Sequence, residues 1–169
     1  MGNRLRRCIQ GRCSQIGGDG VLFRGKFFHT VDPKGRLSIP AKFREYLGEA
    51  FVITMGMDDC LLAYDLETWK AFEEKLTDVD MLDDDAMDLV RFIIGNVQDV
   101  TLDKQGRVLL TDDTRTSAEI EKDVVINGMG NHFEIWPLDK WNERMGAVIA
   151  DKAALKKRLR ESGHKLTIS

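Results

Sequence analysis

Two arginines, Arg36 and Arg107, stand at the mouths of two copies of one turn. The first copy is Asp32-Pro33-Lys34-Gly35-Arg36-Leu37-Ser38-Ile39. The second is Asp103-Lys104-Gln105-Gly106-Arg107-Val108-Leu109-Leu110. An Asp at the first position of a turn accepts a hydrogen bond from the backbone N–H two residues on. Pro33 presets φ for the second position, and Lys104 is tolerated there. Gly35 and Gly106 suit the exit geometry. Apolar residues with strand character follow each Gly-Arg pair. The chemistry on offer is that of a guanidinium on a rigid support. It can pair in bidentate fashion with O6 and N7 of guanine in a major groove. The competing use of each Arg is a salt bridge to the Asp four residues earlier, and the spacing allows both in turn.

The surroundings of the first turn are basic. From Leu22 to Arg44 the charged residues are Arg24, Lys26, Lys34, Arg36, Lys42 and Arg44, with Asp32 as the one carboxylate. Lys26, Lys34, Lys42, Arg44 and Lys104 are candidate phosphate contacts, which set register without reading sequence. From Asp58 to Asp88 the balance reverses to a mostly acidic run. The net charge of −3 alone argues against a nucleic-acid partner, but segregation of this kind can leave one basic face on an acidic body. The second turn looks less basic. Asp112 and Asp113 follow it, and no equivalent of Lys42 and Arg44 stands out, so Arg36 is expected to carry more affinity than Arg107.

Other chemistry finds little support. His29, His132 and His164 are scattered, and Cys60 lacks a basic partner. Asp83, Asp84 and Asp85 are contiguous at an expected helix start, where capping accounts for them. Neither metal-ligand spacing nor a phosphate-cradling glycine loop is present, so no metal, cofactor or small-molecule substrate is expected and an enzyme is the weakest reading. Cys8, Cys13 and Cys60 form no disulfide framework, which points to a reduced, cytoplasmic setting. No apolar stretch approaches the ~20 residues of a membrane span.

The elements that must hold the arginines follow in order. Leu22–Thr30 reads as a strand, then the turn and a strand Leu37–Ile39. Pro40 opens a helix over Ala41–Leu47 that Gly48 ends. Strands follow at Phe51–Met55 and Cys60–Tyr64. Asp65 caps a helix that carries Trp69, Phe72 and Leu76 on one face, and another runs from about Asp83 to Gly95. The plan then repeats: strands Val97–Leu102 and Arg107–Thr111, a short helix around Asp113–Ile120, and strands Val124–Ile126 and Phe133–Trp136. Leu61, Ala63, Tyr64, Leu66 and Trp69 match Phe133, Ile135, Trp136, Leu138 and Trp141 at an offset of 72, and the turns match at 71 (103 − 32). One inserted residue between them would account for the difference. Trp69 and Trp141 read as core. From Trp141 onward one long basic helix is expected. Residues 1–20, rich in Arg and Gly, read as a disordered extension or tag. The expected units are 22–95 and 96–145, with a basic helical tail over 146–169.

The paired turns, with Leu22-Phe23-Arg24-Gly25 before them and Pro40-Ala41-Lys42-Phe43-Arg44 after the first, resemble the bacterial MraZ family over most of the chain. The resemblance implies an α+β fold of two tandem SpoVT/AbrB-like units, each with an Asp-x-x-x-Arg turn. They would form an internal pseudo-dimer, a swapped-hairpin β-barrel with peripheral helices, and chains would associate into a closed ring. It further implies a nucleoid-associated transcriptional regulator that binds double-stranded DNA at direct repeats in the promoter of its own division and cell-wall gene cluster. The resemblance matches Asp32, Arg36, Asp103 and Arg107, with Arg24 and Lys34 beside them. Together with Lys26 and Lys104 from the charge pattern, the residues expected to face DNA are Arg36, Arg107, Arg24, Lys34, Lys104 and Lys26, while Asp32, Gly35, Asp103 and Gly106 support the turns. The alternative is a regulator of the same fold that binds a protein partner through its basic C-terminal tail.

Overall fold

The computed structural model describes residues 23–162. The expected N-terminal extension, Leu22, His164 and Lys165 lie outside the described residues. Among the described residues, eight strands and six helices make an α+β arrangement. They are β1 (Lys26–Thr30), β2 (Arg36–Ser38), α1 (Ala41–Leu47), β3 (Ala50–Met55), β4 (Leu61–Asp65), α2 (Leu66–Thr77) and α3 (Asp84–Gly95). The second half holds β5 (Gln98–Thr101), β6 (Arg107–Leu109), α4 (Asp112–Ser117), β7 (Asp123–Gly128), β8 (Phe133–Pro137), α5 (Leu138–Ala150) and α6 (Lys152–Glu161).

Six strands form one antiparallel sheet in the order β1-β7-β8-β4-β3-β5, and β2 and β6 form a separate two-stranded ribbon. The order is palindromic under exchange of the two halves. β1 exchanges with β5, β7 with β3, and β8 with β4. Strands of one half therefore pair with strands of the other: β1 with β7, β5 with β3, β4 with β8, and β2 with β6. The registers locate an internal twofold axis. Leu37 faces Val108 in the ribbon and Leu62 faces Glu134 in the sheet, each pair being its own image.

The same registers refine the repeat. Phe28 faces Val125 and Asp99 faces Val52, so β1 and β5 superpose at 71 and β3 and β7 at 73 (125 − 52). β4 and β8 superpose at 72. The net difference of one residue between the turns and β8 is thus two added before β7 and one removed from the β7–β8 hairpin.

Strand alternation sorts the apolar residues into layers. Phe51, Ile53, Leu61, Ala63, Val124, Ile126, Phe133 and Ile135 point to one face of the sheet. There they pack with Leu37 and Val108 of the ribbon, Phe43 and Leu47 of α1, and Ala118 and Ile120 after α4. Val52 and Tyr64 point to the other face, against Trp69 and Leu76 of α2 and Ile93 of α3. Val125 and Trp136 meet Trp141 of α5 on that face. Both Trp69 and Trp141 are buried, as their spacing predicts.

Two of the expected helix starts hold in detail. Asp65 Oδ1 accepts from the backbone N–H groups of Glu67 and Thr68, and the Asp83 side chain accepts from Ala86. Two expectations change. The strand over Leu22–Thr30 begins only at Lys26, because Gly25 adopts φ +100° and turns Phe23 away to bridge Gly130. The single long C-terminal helix is two. The chain breaks at Asp151 (φ −125°, ψ 40°), so α5 runs across the expected 145/146 boundary and α6 begins at Lys152.

Candidate nucleic-acid interface

Each Asp-x-x-x-Arg turn is built the same way. Gly35 N–H donates to Asp32 C=O at 2.8 Å and Asp32 N–H donates to Arg36 C=O at 2.9 Å. In the second copy Gly106 N–H donates to Asp103 C=O at 2.9 Å, and Asp103 N–H donates to Arg107 C=O at 2.8 Å. Gly35 (φ +79°) and Gly106 (φ +73°) take the left-handed conformation that closes a type I turn with a bulge. These turns do not continue as ordinary hairpins. β1 departs to β7 and β2 to β6, so each turn feeds the ribbon from one half of the chain.

The carboxylate does two jobs at once. Asp32 Oδ1 accepts from the backbone N–H groups of Lys34 (2.9 Å) and Arg36 (3.0 Å), which fixes the turn. Oδ2 accepts from Arg36 Nε and Nη2, both at 2.6 Å, which fixes the side chain. Asp103 repeats this with Gln105 and Arg107 N–H at 2.9 Å each, and with Arg107 Nε at 2.8 Å and Nη2 at 2.7 Å. The Arg36 side-chain hydrogen bond is the largest cause that pulls the Asp32 carboxyl down to about 2. The bond from Arg107 likewise holds Asp103 below the ordinary carboxylate range.

The pairing is side-on, through Nε and Nη2. It leaves the end-on edge of each guanidinium, Nη1 and the outer N–H of Nη2, without a partner among the described residues. That edge is a complete fork for a second planar acceptor. The salt bridge and an external acceptor can therefore be held together, not only in turn.

Both forks lie on one surface. In the ribbon Arg36 faces Leu109 and Ser38 faces Arg107. Leu37 and Val108 point inward, so Arg36, Ser38, Arg107 and Leu109 share the outward face. The two arginines are diagonal neighbours, with Cα atoms about 7–8 Å apart. Their side chains are 34% and 24% exposed, neither buried nor loose.

Each turn also receives an arginine from the opposite half. The Arg44 guanidinium covers Gly106 so closely that a Cβ there would collide with it, and Arg115 lies over Gly35. Arg44 and Arg115 are equivalent under the offset of 71, which corrects the expectation that Arg44 has no counterpart. Sequence neighbours alone hid the match, because Asp112 and Asp113 make that stretch look acidic. Arg115 pairs with Asp112, and its Nε is buried without a hydrogen-bond partner. Arg44 is exposed and makes no ion pair among the described residues.

Of the remaining predicted residues, Lys34 and Lys104 are exposed at the turn tips. Arg24 and Lys26 are not gathered with them. Lys26 opens β1, roughly 20 Å along the chain from Asp32 at ~3.3 Å per residue, and Arg24 precedes it across the Gly25 turn. Lys26 Nζ instead sits 5.4 Å from the Phe28 ring centre and 5.7 Å from that of Trp141. Cys60 is buried, and desolvation followed by the nearby Glu134 carboxylate pushes its thiol up, away from nucleophilic use. No helix among the described residues is long and apolar enough to cross a membrane.

Comparison with known proteins agrees with this architecture of two copies. The family profile described as "MraZ protein, putative antitoxin-like" matches twice, over residues 22–92 and 93–158. A protein named transcriptional regulator MraZ from Acetivibrio thermocellus is 44% identical over 140 residues, covering 79% of this chain and 98% of that one. Its namesake from Caldanaerobacter subterraneus subsp. tengcongensis is 45% identical over 122 residues, 72% of this chain and 85% of that one. That from Ligilactobacillus salivarius is 45% identical over 120 residues, 71% and 84% respectively. With both halves matched and each of these relatives covered over more than four fifths of its length, the chain belongs to the MraZ family.

Proposed function

We propose that this chain is a sequence-specific DNA-binding transcriptional regulator, and that the β2–β6 ribbon enters the major groove. The observation that carries the reading is the side-on salt bridge. It holds two guanidiniums on one outward face with their end-on forks free. Arg36 and Arg107 each address a guanine through O6 and N7, worth about 1–3 kcal/mol of discrimination apiece. Lys34, Lys104, Lys42 and Arg44 bind phosphates and set register. Arg24 and Lys26, remote from the ribbon, act on flanking phosphates. Relatives named as transcriptional regulators support the class of function, and the reading is of a binding protein, not an enzyme.

The finer reading follows the family resemblance. The exchanged pairing of the two halves is the internal equivalent of a swapped-hairpin AbrB-like barrel. Chains close into a ring that repeats the arginine ribbon, and the ring engages direct repeats in the promoter of its own division and cell-wall gene cluster, in the cytoplasm at the nucleoid. Multivalency then raises weak single-chain binding by effective concentration. A salt titration tests this with a repeat-containing promoter fragment against scrambled DNA. A steep salt slope and a preference of roughly 10³ are expected. Equal binding to both fragments refutes sequence-specific regulation.

A second reading has its own observation. α6 carries Lys152, Lys156, Lys157, Arg158 and Arg160 and buries no residue, which leaves it open to a protein partner. If removal of residues 152–169 leaves operator binding intact but abolishes capture of a cellular protein, that reading gains.

A further inference from the structure

The outward face of the ribbon carries four side chains, and the internal axis sorts them into two pairs. Arg36 and Arg107 are one pair, alike in chemistry and geometry. Ser38 and Leu109 are the other, and they are unlike. Ser38 is exposed and polar. Leu109 is 55% exposed, an isobutyl group directed at solvent directly across the ribbon from Arg36.

An exposed leucine is ordinary in itself. This one is set apart by three facts. The equivalent position holds Ser, so the strand does not require an apolar residue there. The core beneath is already filled by Leu37 and Val108, which are 0% and 1% exposed. And directly opposed residues in such a ribbon have Cβ atoms about 4.5–5.5 Å apart. That separation is between one and two base-pair steps of ~3.4 Å. Leu109 therefore stands within one or two base-pair steps of the Arg36 backbone position, in reach of a base beside the one Arg36 addresses.

Resting on the DNA-binding reading above, we infer that Leu109 is a specificity-determining residue. Its methyl groups pack on the C5-methyl of a thymine adjacent to the guanine addressed by Arg36, the apolar feature of the major groove. Ser38 makes no such demand beside Arg107. A ribbon with an internal twofold axis thereby reads a site without one: guanine at both ends, thymine at one. An asymmetric site gives each chain a direction on the duplex.

The test replaces one methyl group at a time. Each thymine of a repeat-containing duplex is exchanged for deoxyuridine, and binding of the full chain is measured for the parent, Leu109→Ser and Ser38→Leu. One thymine per repeat is expected to weaken the parent about fourfold when it loses its methyl, the worth of one buried methyl group. Leu109→Ser should be indifferent to that exchange, and Ser38→Leu should gain sensitivity at a second position beside the other guanine. Both substitutions are on the solvent face, and unchanged thermal unfolding verifies the fold. If the repeat is preferred over scrambled DNA but no deoxyuridine position separates the parent from Leu109→Ser, the inference is overturned while the regulator stands. If no variant, nor the parent, prefers the repeat, the DNA reading fails first and takes the inference with it.

Discussion

Asp32→Asn separates two accounts of the salt bridge by the sign of its effect. If Asp32 competes with DNA for Arg36, its neutralisation frees the guanidinium, removes a negative charge from the binding face, and tightens binding. If it is a strut, the same change weakens binding. The geometry favours the strut. The amide oxygen can still accept from Lys34 and Arg36 N–H, so the turn persists. The amide NH₂ then meets Nε and Nη2, donor against donor, and the side-on bond is lost. An unrestrained Arg carries about 2 kcal/mol of rotamer entropy. If half of it returns to free Arg36, DNA must remove it again, at about 1 kcal/mol or roughly fivefold in Kd. The opposing gain acts through water and is screened at physiological salt, where the Debye length is about 8 Å. Fluorescence anisotropy on a single-repeat duplex near 0.15 M salt is therefore expected to show about fivefold weaker binding. Asp32→Asn with Asp103→Asn should approach the product, roughly 25-fold, since each strut serves its own fork. Binding equal to or tighter than the parent at that salt would refute the strut.

Arg36→Ala and Arg107→Ala should each weaken operator binding by roughly 5–150-fold, the value of one bidentate guanine contact. The ribbon removes the sequence-level reason to rank them, because Arg44 lies over the second turn and not the first. A disparity above about tenfold, measured on one duplex, would argue against a shared reading face. Gly35→Ala places a Cβ 2.6 Å from the Leu110 carbonyl oxygen at φ +79°. The left-handed conformation alone costs roughly 1–2 kcal/mol for an L-residue, so urea unfolding should lose at least about 2 kcal/mol, and a loss under about 0.5 kcal/mol would contradict the turn geometry. Asp32 is held at about 2 in the fold, below its ordinary value, so its contribution is fully present above pH ~4 and is lost as pH falls through about 2. Acid unfolding should be shallower over that window in Asp32→Asn, and an unchanged profile would show that the bond does not form in solution.

What the sequence made legible is local or periodic. The turns were readable because Asp, Gly and Arg each have a conformational or chemical reason to sit at a fixed place in four or five residues. The caps at Asp65 and Asp83 and the buried faces of Trp69 and Trp141 follow from the same kind of short-range rule. What was hidden is long-range pairing. Nothing in Arg36–Ser38 says that its partner is Arg107–Leu109, 71 residues on, so the diagonal placement of the two arginines and the exposed Leu109 beside them could not be read. Arg115 was missed because its meaning comes from Gly35, on the other half of the chain. Lys26 was grouped with the turn by sequence proximity, whereas an extended strand carries it about 20 Å away. The Asp151 break sits in a stretch of good helix formers and has no glycine or proline to announce it.

The layering also resolves how a chain of net charge −3 can present itself to a polyanion. Glu67, Glu73 and Glu74 lie on α2, and Asp84, Asp85 and Asp88 on α3. Both helices pack against the face of the sheet that carries Val52 and Tyr64, while the ribbon packs against the face that carries Ile53 and Leu61. Each packed layer adds about 10 Å, so the acidic helices stand on the order of 20 Å behind Arg36 and Arg107. That is about two and a half Debye lengths at physiological salt. Phosphates that reach the ribbon are screened from the acidic helices and not from the arginines, Lys34 and Lys104. Net charge averages over both faces of the sheet; a duplex lying on one of them does not. Carboxylates do occur on the ribbon side: Asp32, Asp103 and Asp112 are each paired to an arginine, while Asp113 next to Asp112 makes no ion pair among the described residues. Total charge therefore sets long-range repulsion at low salt, and the pairing of individual carboxylates sets affinity once that repulsion is screened.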